Sequence, residues 1–443
     1  MRRNELVWLA IVSFFGGSAI AQQPVPMPSP QVPQPPPTAP LSLAAVTNVA
    51  LQQVSALQQA QIDEAIAAED LRQAKAALLP RARDSFSITY NSPAHPPGSM
   101  SDPSFIALNA IHEYQNLLGV TGDWNFGLIA AVRRSRALLN AARAGTEIAR
   151  RALVRGINEA YYGAALATAK RNAAEQSLAA AEEFERVTDL NYRAGEVPEI
   201  DVIRARLQTA ARRDDLAQAQ QAEAIANASL GTLLGYGIAQ PPLIEALPQT
   251  VDVGEIATIS SGGVARRPEF RQLEAQVRAA QADIGVARAD RLPRITYSVD
   301  EGFDTSSLGS ETLRQHRGVL ATANVDVPIF DWGSSRSRQR QAELRARGAE
   351  LQRQLTIRDL YLQFATARQE AITAAERVDN ARRAVADAER NVMISISRYR
   401  AGEAPITEAT EAQTTLATQR ATLQQALFDY QVARARLREA VGE

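Results

Sequence analysis

The chain has 443 residues, with 48 Lys+Arg against 49 Asp+Glu, so charge balance gives no argument for nucleic-acid binding. It contains no cysteine, which excludes disulfides and metal–thiolate sites and leaves no cysteine to carry a lipid anchor. Aromatic residues are only 5%, low for a compact enzyme core, while alanine is abundant, as suits long and closely packed helices.

The first residues read as a secretory signal over 1–21. Arg2 and Arg3 form a basic start, Leu6 to Phe15 is apolar, and Ala19-Ile20-Ala21 is an A-x-A cleavage site. The alternative is a membrane anchor, but the apolar run falls short of the ~20 residues that a spanning helix needs. Residues 22–40 are rich in proline and nearly free of charge, which predicts an extended leader rather than a domain.

Beyond the leader the chain repeats itself. Leu79-Pro80-Arg81 recurs as Leu292-Pro293-Arg294, and Arg134-Ser135-Arg136 as Arg336-Ser337-Arg338. The strongest match is Tyr-Arg-Ala-Gly-Glu-Val-Pro at 192–198 against Tyr-Arg-Ala-Gly-Glu-Ala-Pro at 399–405. These matches fall in the same order, which predicts two structural repeats, 41–240 and 265–443, joined by a linking segment over 241–264. In each, a helix leads to Leu-Pro-Arg and two strand-like stretches separated by a loop follow. A very long helix then breaks at Ala-Gly-Glu, and another helix returns.

Four stretches carry a period of two. Phe86, Ile88 and Tyr90 alternate with Ser87 and Thr89; Trp124, Phe126 and Leu128 share a face. Ile295, Tyr297 and Val299 alternate with Thr296 and Ser298, and Val319 to Ile329 is the longest such run. The loops between them are expected at about 92–121 and 304–317, with part of 105–118 an alternative extension of a strand. A soluble sheet is one reading, but the helices offer no second layer to cover it. Alternation of apolar and polar residues in segments of ~10 also describes a transmembrane barrel. Four strands cannot close one, because ~8 is the smallest barrel, and an open edge cannot exist in hydrocarbon. Several copies must then share one barrel, with the helices together on one side.

The long helices read as coiled coil. Ile357, Phe364, Ala371, Val378, Val385, Val392 and Tyr399 recur every seventh residue, followed three later by Leu360 and then small residues. Residues 334–400 contain no proline and would span roughly 100 Å, and 133–194 roughly 93 Å, at 1.5 Å per residue. Rods of that length need partners along their whole seam.

Residues 265–299, with the Arg-Pro-Glu opening at 267–269 and Leu292-Pro293 before the strand, resemble the TolC-like outer-membrane efflux proteins. So do Val327-Pro328-Ile329-Phe330-Asp331-Trp332-Gly333 and the two Tyr-Arg-Ala-Gly-Glu turns, and the resemblance runs from about Leu41 to Gly442. It implies a mixed fold of α-helix and membrane β-strand. Three subunits would build a twelve-stranded outer-membrane barrel continued by a helical periplasmic tunnel. It further implies an exit duct in efflux or secretion, fed by an inner-membrane pump through a periplasmic adaptor docked at the tips Gly195, Glu196, Gly402 and Glu403. Carried over residue by residue, the family's closing constriction falls on Glu408 and Glu411. Asp201 corresponds to a carboxylate that bonds the neighbouring helix, with Tyr399 as its partner. The family more often has aspartate at the first two positions. Read from the residues alone, Glu408 and Glu411 are equally solvated carboxylates, Tyr399 a seam residue, and Gly195 and Gly402 turn residues with positive φ.

An enzyme is not supported. His95, His112 and His316 lie in or near the presumed outer loops without HExxH spacing, and no phosphate-cradling glycine loop occurs, so neither cofactor nor metal is expected. A trimeric coiled-coil stalk or adhesin would explain the heptads but not the duplicated strand pairs.

Overall fold

The structure, a computed structural model, describes residues 39–93, 109–236 and 243–442. The predicted signal, the leader up to residue 38, and His95 lie outside the described residues. The chain opens with α1 (Leu43–Ala50), capped by the Ser42 hydroxyl, which accepts from the Ala45 N–H, and α2 (Ala56–Ala76). Next come β1 (Arg81–Tyr90) and β2 (His112–Trp124), then α3 (Phe126–Arg193) and the returning α4 (Glu199–Leu233). A short α5 (Val253–Thr258) and a 3₁₀ turn (Ser261–Arg266) lead into α6 (Pro268–Ala289). The second repeat continues with β3 (Arg294–Thr305), α7 (Ser310–Gln315), β4 (Arg317–Asp326), α8 (Ser334–Arg400) and α9 (Ile406–Ala440).

The strands form one antiparallel sheet in the order β1-β2-β3-β4. Register aligns Ala82 with Val120, Val120 with Val299, and Val299 with Ala321, so one face is largely apolar across all four strands. On β4 that face carries Val319, Ala321, Ala323 and Val325; the opposite face carries Thr322, Asn324 and Asp326. Ser298 and Thr322 share a hydrogen bond of 2.9 Å on the polar face. The charges on the apolar face are partnered: Asn116 donates to Asp84 at 2.9 Å, and Arg317 pairs with Glu301 at 2.8 Å. Both edge strands, β1 and β4, are exposed along their whole length.

Three details differ from the sequence reading. The second strand runs from His112 to Trp124, so the outer loop ends well before 121, and Phe126 and Leu128 already belong to α3. The cause is Asn125, whose side chain accepts from the Leu128 N–H at 3.1 Å and starts the helix there. The shorter loop contains α7, a helical turn within 304–317. β4 ends at Asp326, so Val327 and Ile329 lie beyond it; Pro328 has no N–H to give a ladder.

Beneath the sheet, α2, α3, α6 and α8 lie side by side in that order, and nearer the tips the order is α4, α3, α9, α8. The α8 seam follows its heptads. Leu360, Phe364, Ala367, Ala371, Ala374, Val378, Ala381, Ala388, Ser395 and Tyr399 are buried, while Ile357, Val385 and Val392 are half-buried. The alanines at alternate seam positions let α9 approach closely.

A belt wraps the helices at mid-length. Ile256 and Val264 pack on Leu360, Phe364, Tyr430 and Leu437 in one core. The Tyr430 hydroxyl accepts from the Asp252 N–H at 2.9 Å and donates to the Asp252 carbonyl at 3.1 Å. Glu255 accepts from Arg434 at 2.7 Å and Arg438 at 2.6 Å. Burial pushes the Glu255 carboxyl up, but those two arginines outweigh it and hold it below its ordinary range. Gly263 is required there: a Cβ would come within 2.7 Å of the Val441 Cβ.

Candidate functional site

The two helical hairpins end in matching turns. α3 closes with Gly195 at φ +79 and α8 with Gly402 at φ +73, conformations that L side chains rarely adopt. The Gly195 N–H bonds to the Tyr192 carbonyl and the Glu196 N–H to Asn191, both at 2.9 Å. Gly402 and Glu403 repeat the pattern on Tyr399 and Arg398 at 3.0 and 2.9 Å. These paired bonds satisfy carbonyls that a helix end would otherwise leave bare. Pro198 and Pro405 then cap the returning helices in extended conformation, and Gly195, Glu196, Gly402 and Glu403 are all exposed. No neighbouring atom lies within 4 Å of a Cβ built at either glycine, so backbone shape alone demands them.

Just behind the turns, the repeats meet in a small apolar cluster of Phe184, Ala205, Tyr399, Ile406 and Ala409. The rings of Phe184 and Tyr399 lie 5.7 Å apart. Inside it the Tyr399 hydroxyl donates to the Asp201 carboxylate at 3.3 Å, joining α8 of the second repeat to α4 of the first. Burial, and then the charge of Asp201, push the Tyr399 hydroxyl up to about 12, so it stays protonated as the donor at any physiological pH. Asp201 is itself buried and has Arg204 at 3.8 Å on its other side.

Glu408 and Glu411 stand on the first turns of α9 but differ in surroundings. Glu408 is half-buried and accepts from Arg398 at 2.6 Å, while Glu411 is exposed and one turn away. Arg398 was not among the residues singled out from sequence. Its signal was present, because Arg398 and Glu408 lie on opposite arms of a hairpin whose turn centres near Gly402, which brings positions equally far from the turn together. The structure thus joins Asp201 to Tyr399 and sets Glu408 and Glu411 on the adjoining arm, without direct contact between the two pairs.

Among the described residues no group of His, Asp and Glu could hold a metal ion, and no helix is long and apolar enough to cross a membrane. His112 stacks on Tyr90 at 5.2 Å, and His316 bonds the Thr312 carbonyl at 2.9 Å.

The fold is shared with solved structures. Outer membrane protein VceC from Vibrio cholerae superposes with a TM-score of 0.78 at 21% identity, covering 90% of this chain and 96% of that one. Residues 263–443 match the family described as outer membrane efflux protein. That match spans the second repeat of the chain. The chain is 31% identical over 254 residues to Protein CyaE of Bordetella pertussis, covering 55% of this chain and 52% of that protein. It is 30% identical over 197 residues to the toluene efflux pump outer membrane protein TtgC of Pseudomonas putida, covering 44% and 40%. The chain therefore aligns with about half the length of these curated relatives.

Proposed function

We propose that three copies of this chain form an outer-membrane exit channel of a tripartite efflux or secretion system. The observation that carries the reading is a four-stranded sheet with an apolar face, no covering layer and two open edges, set above helices as long as the 67-residue α8. In hydrocarbon those edges must be paired, and β4 of one copy beside β1 of the next keeps every neighbour antiparallel. The helices support the same lateral assembly. Leu344, Leu351, Leu355 and Leu362 form an exposed stripe on α8, one outer flank of the layer, and Ile62 and Ile66 are exposed on α2, the other flank. Stripes spaced seven and four apart seek a partner helix.

In this reading the exposed tips Gly195, Glu196, Gly402 and Glu403 dock a periplasmic adaptor protein fed by an inner-membrane pump. Asp201, Tyr399, Glu408 and Glu411 form the gate behind them. The channel is a passive duct, and its cargo is set by the pump. TtgC carries the name of an outer-membrane part of such a pump, which is the role proposed here. The test is heat-modifiable migration of an oligomer from outer-membrane fractions together with ion conductance in a planar bilayer. An oligomer that never conducts would favour a stalk or adhesin instead.

A further inference from the structure

The junctions between strands and helices carry a feature that gate and barrel do not use. Trp124, on the apolar face at the end of β2, stacks edge-on against Phe126, ring centroids 4.9 Å apart. Phe126, Ile129, Arg133 and Arg136 then follow at spacings of three, four and three, one stripe down α3. The side chain on that stripe thus changes from aromatic to aliphatic to cationic within about 15 Å of helix.

The second repeat builds the same gradient by another route. Phe330 and Trp332 stack edge-on at 4.8 Å. Trp332 is 91% exposed and sits in the left-handed region at φ 57, a costly conformation for a bulky residue. Asp331 fixes that bend by accepting from the Gly333 N–H at 3.1 Å and the Ser335 N–H at 2.7 Å. Arg336 and Arg340 follow one turn apart on α8. They lie roughly 100–140° around from the buried Ser335, Ala342 and Ala346, at 100° per residue. Because α3 and α8 run the same way with α6 between them, right-handed helices put both arginine stripes on one side of the layer.

These stretches are strongly cationic in a chain of net charge −1: residues 126–144 hold four arginines and no acid, and 334–348 five arginines and one glutamate. Arg134 and Arg338 are paired with Asp283 and Asp290 at 2.9 and 3.0 Å. Among the described residues no carboxylate lies within 4.0 Å of Arg133, Arg136, Arg336 or Arg340. Exposed arginines without carboxylates, continuous with the apolar face of a membrane sheet, fit a phosphate-bearing surface.

We propose that Trp124, Phe126, Phe330 and Trp332, with Arg133, Arg136, Arg336 and Arg340, form a collar that selects anionic phospholipid in the periplasm-facing leaflet. It rests on the outer-membrane reading. The aromatic pairs occupy the interface between acyl chains and headgroups, and the arginines below them reach the phosphates.

The test uses the full chain reconstituted in vesicles of phosphatidylcholine with a minor fraction of phosphatidylglycerol. The lipid retained by the re-extracted protein is then measured. Wild type should retain phosphatidylglycerol above its bulk fraction. The R133Q/R136Q/R336Q/R340Q variant should lose at least about tenfold of that preference, since each arginine near an anionic surface contributes about fivefold. The R186Q/R193Q/R206Q/R213Q variant, which loses the same charge near the tips, should keep it. Bromination of the acyl chains should quench Trp332 fluorescence, read in a Trp8→Phe/Trp124→Phe background that leaves it the single tryptophan. Unchanged preference in the collar variant would overturn the proposal, as would an unquenched Trp332, which would assign this face to a neighbouring copy. Failure of wild type to enter any vesicle would instead overturn the membrane reading beneath it.

Discussion

At the residue scale, the sequence named Asp201 and Tyr399 through a family resemblance, and the structure supplies the physics. Tyr399 ends the buried seam of α8, yet its hydroxyl needs a partner once desolvated, and the Asp201 carboxylate meets it at 3.3 Å. Tyr399→Phe keeps the packing against Phe184 and removes the hydroxyl with its bonds to Asp201 and Thr188. It should cost about 1 kcal/mol and raise resting conductance, whereas Tyr399→Leu should also cost stability through lost packing. Equal resting conductance of Tyr399→Phe and wild type in a planar bilayer would remove the pair from the gate. What the sequence hid was the belt. Glu255, Arg434 and Arg438 are far apart in the chain and carry no motif, so only folding shows them as one cluster. The pair of arginines holds the Glu255 carboxyl below its ordinary 4.5. Folding therefore favours its charged form. The stability it gives is complete above the unfolded value and is lost as pH falls through the lower folded one. Thermal melting should show wild type losing stability from about pH 4.5 downward more steeply than Glu255→Gln, which has no such proton to take up.

At the element scale, the long helices were legible because seven-residue periodicity accumulates over many turns. α8 spans Ser334–Arg400, the proline-free interval itself. The strands were less so. β2 has its alternation interrupted by Leu117, Gly119 and Gly122, and the aromatic pattern Trp124–Phe126 straddles the cap at Asn125. A period of two seen over three residues cannot tell a strand end from a helix start. Glycine at 119 is explained only by the fold, since the Asp300 side chain from β3 lies over it. β4 offers a clean test of face assignment. Val325 opposes Ile295 on the apolar face, and Asn324 opposes Thr296 on the polar one. Val325→Arg should cost ~2–4 kcal/mol where that face meets mid-bilayer and impair assembly, whereas Asn324→Arg should insert normally. The readout is the amount of heat-modifiable oligomer in the outer membrane, and equal yields would contradict the assigned faces.

At the scale of the whole molecule, the proposed gate would be a property that no single chain has. Each subunit brings Glu408 and Glu411 on α9, and threefold symmetry would set six carboxylates around one opening. Like charges gathered in a constriction favour cations, and their mutual repulsion invites divalent ions and protons. The structure changes how those six should be weighted. Glu408 is already bonded by Arg398 at 2.6 Å, so much of its charge is met within its own hairpin, while Glu411 is exposed and has no such partner among the described residues. The ring's field should therefore come chiefly from the three copies of Glu411, with Arg398 restraining the other three. Two substitutions separate these parts. Glu411→Gln should lower cation selectivity and weaken block by divalent ions added on the periplasmic side. Arg398→Gln should do the reverse, because it releases Glu408 into the opening and doubles the free carboxylates. Acidification should close the difference between Arg398→Gln and wild type as the released carboxylates take up protons. Single-channel recording of both variants beside wild type reads all three quantities. If Glu411→Gln and Arg398→Gln shifted selectivity in the same direction, the two side chains would not be opposing parts of one ring. The constriction would then have to be sought elsewhere along the tunnel. The barrel and coiled-coil arguments would stand, because they rest on the open sheet edges and the buried α8 seam rather than on these residues.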